Sequence, residues 1–277
     1  MTSRELLSSA AEELAAAGCP SPRVDAEWLL AHAAGITRTA LYANGNGLLS
    51  AEDEVRFREL VARRARREPL AYVLGEWGFR RLMLRVDPRV LVPRPETEMV
   101  VERCLTLLAD VAEPRVLDIG VGSGAIALAI ADEHPRARVV ATDSSRGALE
   151  VAEVNRARTD LADRVELVEG ELFAGLESLF DLVVSNPPYV QSDELDLLEP
   201  EVARYEPREA LVASGATEAI AQGARSRLRP GGSLVLETGD GKAREIAALL
   251  KDLRYEDVAI SEDLAGGERI VDGRTPG

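Results

Sequence analysis

Apolar positions recur with two periods along this chain, and the change between them divides it. Over the first ~70 residues the spacing is helical. Thr2 and Glu5 have capping-box spacing, and Leu6, Ala10 and Leu14 then fall on one face. Ser21-Pro22 predicts a helix cap followed by proline at the first helical position, and Gly35 a stop. Leu41 and Tyr42 lie in a short third segment that ends at Asn44-Gly45. Ser50 and Asp53 repeat the capping-box spacing. The helix they open is expected to turn Val55, Leu60 and Val61 inward, with Arg56, Arg63, Arg64, Arg66 and Arg67 around them. Those arginines read first as a solvated face and second as a contact for an acidic partner.

From residue 77 the period falls to two. Leu82, Leu84 and Val86 alternate with Met83, Arg85 and Asp87, and "RVLVP" follows, which predicts a strand pair bridging two domains. "RPETEMVVERCLTLLAD" is helical again, with Val100, Cys104 and Leu107 in phase. After residue 114, near-continuous apolar strands ("RVLDIG", "ARVVATD", "RVELVEG", "FDLVVS", "GGSLVLET") are interleaved with amphipathic helices. Strands of this kind are covered on both faces. The last two, "YEDVAIS" and "ERIVDG", have no helix between them and should form a hairpin. The expected fold is α/β: a doubly wound, mostly parallel seven-stranded sheet with an antiparallel edge strand, preceded by a small helical domain and a linking β-hairpin. The expected boundaries are 1–75, 76–93 and 94–277.

Composition narrows this further. Aromatics make up only 4% of 277 residues, so the core must be Leu, Val, Ile and Ala. The opening "MTSRELLSSAAEELAAAG" is charged and amphipathic, unlike a secretory signal. The longest apolar stretch, "AIALAIA" at 125–131, is too short to span a bilayer. Cys19 and Cys104 make no metal or redox pattern and read as reduced core thiols. A cytoplasmic protein with no metal and no membrane partner is expected. Residues 1–90 carry 13 basic and 12 acidic side chains, net +1, so the remaining 20 and 36 give −16 of the total −15. So acidic a body suits bare nucleic acid poorly, and no direct nucleic-acid partner is expected.

Four stretches carry chemistry. In "VLDIGVGSGAIALAIA", Gly120, Gly122 and Gly124 lie between a strand and a helix, where a nucleotide-type cofactor can approach the backbone. Asp143 ends the next strand, placed to accept from ribose hydroxyls; it could equally cap the following helix, as could Ser144. These two features fit a nicotinamide dinucleotide as well as S-adenosylmethionine, although Ala125 stands where a dinucleotide fingerprint has its last glycine. In "EGELFAG", Glu171 and Leu172 could frame an adenine. "SNPPY" ends the fourth strand. The Asn186 oxygen and the Pro187 carbonyl make two acceptors for a planar –NH2, Pro188 stiffens the turn, and Tyr189 offers a flat face. Such a cradle aims a poor nitrogen nucleophile at an electrophile by position alone.

"NPPY" in this place resembles the amino-group methyltransferases. "GFRRLMLRVDPRVLVPRPETE", the glycine loop, "SNPPYV", "PEVARYEPREAL" and "DLAGGERIVDGR" together resemble the release-factor glutamine methyltransferases (the PrmC/HemK family), over nearly the whole chain. The resemblance implies a Rossmann-like class I methyltransferase domain. It implies methyl transfer from S-adenosylmethionine to the side-chain amide nitrogen (N5) of the glutamine in the Gly-Gly-Gln motif of peptide chain release factors. It puts Gly120, Val121, Gly122, Ser123, Gly124, Asp143, Glu171, Leu172 and Asn186 on the cofactor. Asn186, Pro187, Pro188 and Tyr189 then hold the glutamine amide, and the "RPETE" loop, Arg94 through Glu98, borders the methionine end of the cofactor and the substrate channel, with Arg94 and Glu96 on the substrate. The helical domain becomes a substrate-docking domain. The chain departs from the family's pattern at Glu171, where Asp is usual, and across 212–242. The competing readings are a nucleic-acid adenine or cytosine amino-methyltransferase, a nicotinamide-dependent dehydrogenase, and a non-enzymatic cofactor-binding module.

Overall fold

The computed structural model describes residues 2–43 and 49–277, so the expected stop at Asn44-Gly45 lies outside the described residues. The chain forms two compact units, Met1–Glu76 with Leu198–Tyr205, and Trp77–Leu197 with Glu206–Gly277. Among the described residues no helix is long and apolar enough to cross a membrane.

The first unit contains α1 (Ser3–Ala16), α2 (Pro22–Ala33), α3 (Arg38–Ala43), α4 (Ala51–Ala65), α5 (Leu70–Leu74) and α9 (Pro200–Tyr205). Thr2 and Glu5 close a full capping box at α1. Ser21 occupies the N-cap of α2 without a side-chain bond. The Ser50 hydroxyl accepts from the Asp53 N–H at 3.0 Å and donates to the Asp53 carboxylate at 2.7 Å, which closes only half of the expected box. Leu14, Leu29, Leu30 and Phe57 are almost wholly buried. Val55, expected inside, is exposed. The inner face of α4 is instead Phe57, Leu60, Val61 and Arg64. These sit at i, i+3, i+4 and i+7, and Val55 is two residues, more than half a turn, out of phase with them.

Arg64 also departs from the solvated-face reading: it is 3% exposed and pairs with Asp25 at 2.8 Å and Glu201 at 2.7 Å. Arg67 reaches Glu199 at 2.8 Å and Glu201 at 2.6 Å, and the Tyr205 hydroxyl donates to the Arg66 carbonyl at 2.9 Å. The acidic partner of these arginines is the returning segment of the same chain. A buried guanidinium is tolerable only when paired in this way.

The second unit opens with a hairpin of β1 (Glu76–Phe79) and β2 (Leu82–Arg85). The strand partner therefore precedes Leu82, whereas the expected partner was "RVLVP". Val90 and Val92 of that stretch are buried but outside any strand. After α6 (Pro95–Leu108) come β3 (Arg115–Ile119), α7 (Ala125–Glu133), β4 (Arg138–Asp143), α8 (Arg146–Arg158), β5 (Val165–Glu169) and β6 (Phe180–Ser185). Then follow α10 (Ala216–Ala224), β7 (Leu228–Glu237), α11 (Ala243–Asp252), β8 (Glu256–Glu262) and β9 (Glu268–Arg274). The seven strands are ordered β5-β4-β3-β6-β7-β9-β8; β9 runs against both neighbours and the other pairs are parallel.

Alternation along the strands makes two cores. Val116, Leu182 and Val184 face the side covered by α6 and α7, while Leu117, Ile119 and Val183 face α10 and α11. Each such side chain stabilises the sheet by about 1.5–3 kcal/mol through burial. The strand order reverses between β3 and β6, the place where open α/β sheets bind ligands. The register pairs Ile119 with Thr142 and with Ser185, and Asp143 with Glu169. The loops after β3, β4, β5 and β6 therefore leave from one edge.

Candidate active site

A cavity of about 260 Å³ opens at that edge, and all of its wall belongs to the second unit. Gly120, Val121, Gly122 and Ser123 form one side, with Asp143 beside them. Glu171 and Leu172 reach it from the loop after β5, and Asn186, Pro187 and Pro188 from the loop after β6. Arg94 joins them from the start of α6. Gly124, Tyr189 and Glu96 do not line it.

Each placement has a local cause. Gly122 and Gly124 have φ of 52° and 88°, which side-chain-bearing residues rarely adopt. At Gly124 a Cβ would also stand 2.9 Å from Leu128 Cδ1, so this glycine serves packing under the loop. The Thr142 carbonyl accepts from the N–H groups of Gly120 (2.8 Å) and Val121 (2.9 Å). Asp143 Oδ2 accepts from the Gly122 N–H at 3.0 Å and its Oδ1 from the Ser145 N–H at 2.8 Å. Burial pushes the Asp143 carboxyl above its ordinary range, against the pull of those donors. The helix cap itself is Ser145, which accepts from the Ala148 N–H at 3.3 Å; neither Asp143 nor Ser144 fills it. A carboxylate offers about four acceptor positions, and the backbone donors of Gly122, Ser145 and Ser144 leave Asp143 room to accept from a ligand.

Leu172 adopts φ 52°, a strained value for a branched side chain, and its carbonyl accepts from the Thr142 hydroxyl at 3.3 Å. Glu171 is exposed. Arg94 is held by the buried Glu206, with its Nη2 at 2.7 and 2.8 Å from the two carboxylate oxygens. The Tyr189 ring packs on Gly239, where a Cβ would come within 2.8 Å of Tyr189 Cδ2. Burial raises the Tyr189 phenol above its usual value.

Three further polar side chains support the site; Asp118 and Asn155 escaped the sequence reading, and Thr97 lay within the "RPETE" loop without a role of its own. Asp118 is 1% exposed and accepts from the Ala127 N–H at 3.0 Å, holding the first turn of α7. Its Oδ1 has no partner, and burial lifts its pKa to about 7. Asn155, fully buried on α8, donates to the Ser123 carbonyl at 2.8 Å and so fixes the glycine loop from behind. Thr97 of α6, on the cavity wall, accepts from Asn186 Nδ2 at 3.4 Å. The readable signal was a polar residue inside an apolar strand run, as Asp118 in "VLDIG".

Comparison with known proteins follows the same lines. Residues 5–75 match the PrmC N-terminal domain family, and residues 98–203 the methyltransferase small domain family. A release factor glutamine methyltransferase of Geobacter sulfurreducens is 42% identical over 99% of this chain and 96% of its own length. The chain belongs to the release factor glutamine methyltransferase family. A second member, from Deinococcus radiodurans, is 41% identical with both chains covered completely (100%). Among solved structures, a methyltransferase from Pyrococcus furiosus superposes with a TM-score of 0.52 at 22% identity, over 71% of this chain and 90% of that one. That likeness is one of fold.

Proposed function

We infer that this chain transfers a methyl group from S-adenosylmethionine to the side-chain amide nitrogen of the glutamine in the Gly-Gly-Gln motif of peptide chain release factors. The observation that carries this reading is the convergence of Asn186, Pro187 and Asp143 on one cavity, in a chain that shares its full length with release factor glutamine methyltransferases. When bound, S-adenosylmethionine supplies a methyl group activated on a sulfonium. Asp143 would accept from its ribose with the acceptor capacity its backbone donors leave free, while Leu172 and Glu171 border the adenine. The Gly120–Ser123 turn suits this cofactor better than a dinucleotide. A pyrophosphate needs bare N–H groups, and those of Gly120, Val121 and Gly122 are already bonded to Thr142 and Asp143.

In this reading Asn186 Oδ1 and the Pro187 carbonyl hold the two amide hydrogens of the glutamine. The nitrogen lone pair forms the new N–C bond as the S–C bond breaks, and one amide proton is released. Pro188 fixes the turn, and Tyr189, Arg94 and Glu96 shape the approach of the substrate. The test is mass spectrometry of a recombinant release factor after incubation with enzyme and methyl donor. A gain of one methyl on the Gly-Gly-Gln peptide is expected, and its absence would reject the reading. Asn186→Ala should lower kcat by about 100-fold with cofactor affinity nearly unchanged, the cost of losing one positioned group at a transition state.

The helical unit serves in this reading as the docking domain for the intact release factor. Val24 and Trp28 support it, because they lie one helical turn apart on α2 and are 42% and 38% exposed. Trp28→Ala should raise KM for the whole release factor and leave kinetics on a short Gly-Gly-Gln peptide unchanged. Equal effects on both substrates would remove docking from the account.

A further inference from the structure

An asparagine side chain has two ends of nearly the same shape and opposite hydrogen-bonding sense. Only the oxygen can accept from a substrate amide; the reversed side chain would set –NH2 against –NH2. The reaction inferred above therefore needs something in the protein that decides which way Asn186 points.

We propose that Thr97 and Glu237 are positioning residues that lock the Asn186 amide with its oxygen toward the substrate. This rests on the assignment of Asn186 to the substrate amide. The parallel register pairs Ser185 with Leu236, so one step further along the two strands Asn186 and Glu237 emerge side by side. Thr97, in the first turn of α6, stands between them in bonding terms. Its Oγ1 accepts from Asn186 Nδ2 at 3.4 Å, and its hydroxyl lies near enough to Glu237 to favour the charged carboxylate there. Thr97 is 4% exposed and Glu237 2% exposed, so solvent water does not compete freely for either group.

The direction of the chain follows from proton counting. A hydroxyl has one proton to donate. Given to the Glu237 carboxylate, it leaves the Thr97 lone pairs facing Asn186, and only the –NH2 end of Asn186 satisfies them. The oxygen of Asn186 must then turn the other way. Thr97 passes the acceptor character of Glu237 across the strand ends and fixes a choice that shape alone leaves open.

Glu237 is a poor investment for stability by itself. It is a buried carboxyl whose Oε2 has no hydrogen-bond partner, which costs folding free energy. Burial raises its pKa to about 7; Glu96 adds to the rise, while the Thr97 hydroxyl, Arg269 and Arg94 oppose it. Tyr189 faces the same carboxyl and stays neutral there. When protonated, Glu237 can itself donate to Thr97 Oγ1 and compete with Asn186. The lock therefore holds above about pH 7 and loosens below it.

The test compares Thr97→Val, Thr97→Ser and Glu237→Gln in the full-length chain. Thr97→Val keeps the shape and removes the hydroxyl, and should lower kcat on a Gly-Gly-Gln peptide by about 10-fold. Calorimetric affinity for S-adenosylmethionine should stay within about twofold. Thr97→Ser restores the hydroxyl and should recover most of the lost turnover. Glu237→Gln still accepts from Thr97 but does not titrate, and should abolish the fall in kcat below about pH 7. Thr97→Ser as defective as Thr97→Val, or Thr97→Val with unchanged kcat, would overturn the proposal. A second readout does not depend on activity: the Asn186 side-chain –NH2 protons, observed by NMR with S-adenosylmethionine present, should be slow to exchange in the parent and fast in Thr97→Val. If the parent fails to methylate the peptide, the assignment of function falls. The exchange data then still decide the lock, and equal exchange in both proteins rejects it.

Discussion

Asn155 offers a direct test of how the glycine loop is held. It is fully buried, and its Oδ1 accepts from the Arg85 N–H at 2.6 Å. Its Nδ2 donates to the Arg85 carbonyl at 3.0 Å and to the Ser123 carbonyl at 2.8 Å. One side chain thus ties α8 to the β2 strand and to the glycine loop. Asn155→Ala deletes all three bonds. At about 1 kcal/mol net for each, the loss is about 3 kcal/mol, with the stranded Ser123 carbonyl its most expensive part. For a unit of this size each kcal/mol moves Tm by roughly 2–4 °C, so a fall of about 6–12 °C follows. Asn155→Asp discriminates further. It retains the acceptor for Arg85 but aims a buried anionic oxygen at two carbonyls, and should lose more than Asn155→Ala at neutral pH. Urea unfolding can be followed by fluorescence in a Trp28→Phe background, where Trp77 is the remaining tryptophan of the two and reports on the second unit. Affinity for S-adenosylmethionine should fall in parallel, because Ser123 loses its anchor. An alanine variant that loses less than about 1 kcal/mol, or an aspartate variant milder than it, would refute the reasoning.

Other consequences are equally open to measurement. Arg64→Ala leaves the buried Asp25 without its cation, while Glu201 keeps Arg67, and should destabilise the helical unit by about 3 kcal/mol in urea unfolding. Asp118 holds its proton up to about pH 7 in the folded chain, well above an unfolded aspartate. The contribution of Asp118 to stability is therefore fully present below the ordinary carboxylate range and is lost as pH rises through about 7. Asp118→Asn should flatten the part of that fall not due to Glu237, read as ΔG of unfolding between pH 5 and pH 8. Gly239→Ala brings a methyl to within 2.8 Å of Tyr189 Cδ2 and should displace that ring, raising KM for the peptide with little change in Tm.

The sequence was legible where burial is symmetric. β3, β6 and the second half of β7 are covered on both faces, so their apolar runs are continuous and stand out from the helices around them. Legibility failed where a position's role depends on a distant partner. Arg64 and Arg67 looked like a solvated cluster because Glu199 and Glu201 lie more than 130 residues later in the chain. Val55 was misplaced through helical phase, since Phe57 sets the inner face. "RVLVP" looked like a strand because Val90 and Val92 are buried, yet burial by packing leaves the same apolar trace as burial by pairing. Gly120–Ser123, Asp143, Leu172 and Asn186 were readable as candidates because glycine, acid and NPPY stand at strand ends. Asn155 and Glu237 act through a neighbour, as Thr97 does within the "RPETE" loop, and no local pattern marks such a role.

Those unmarked residues explain how the edge can be rigid before any ligand arrives. An amide nitrogen is a weak nucleophile, so a site acting on it must rely on position, and position requires that the side chains have nowhere else to go. The glycine loop is held from one side by Thr142 and Asp143 and from the other by Asn155. Asp118 and Glu237 lie in the carboxyl-terminal halves of β3 and β7, and each keeps one buried oxygen unpartnered. Nearer the opposite ends of the strands, Asp181 accepts from the Arg115 N–H at 2.8 Å and pairs with Arg229 at 2.7 Å, so its charge is answered in full. Polar strain is therefore not spread evenly through the sheet. It gathers at the edge where the cavity opens, as expected if stability there has been exchanged for acceptors whose direction is fixed.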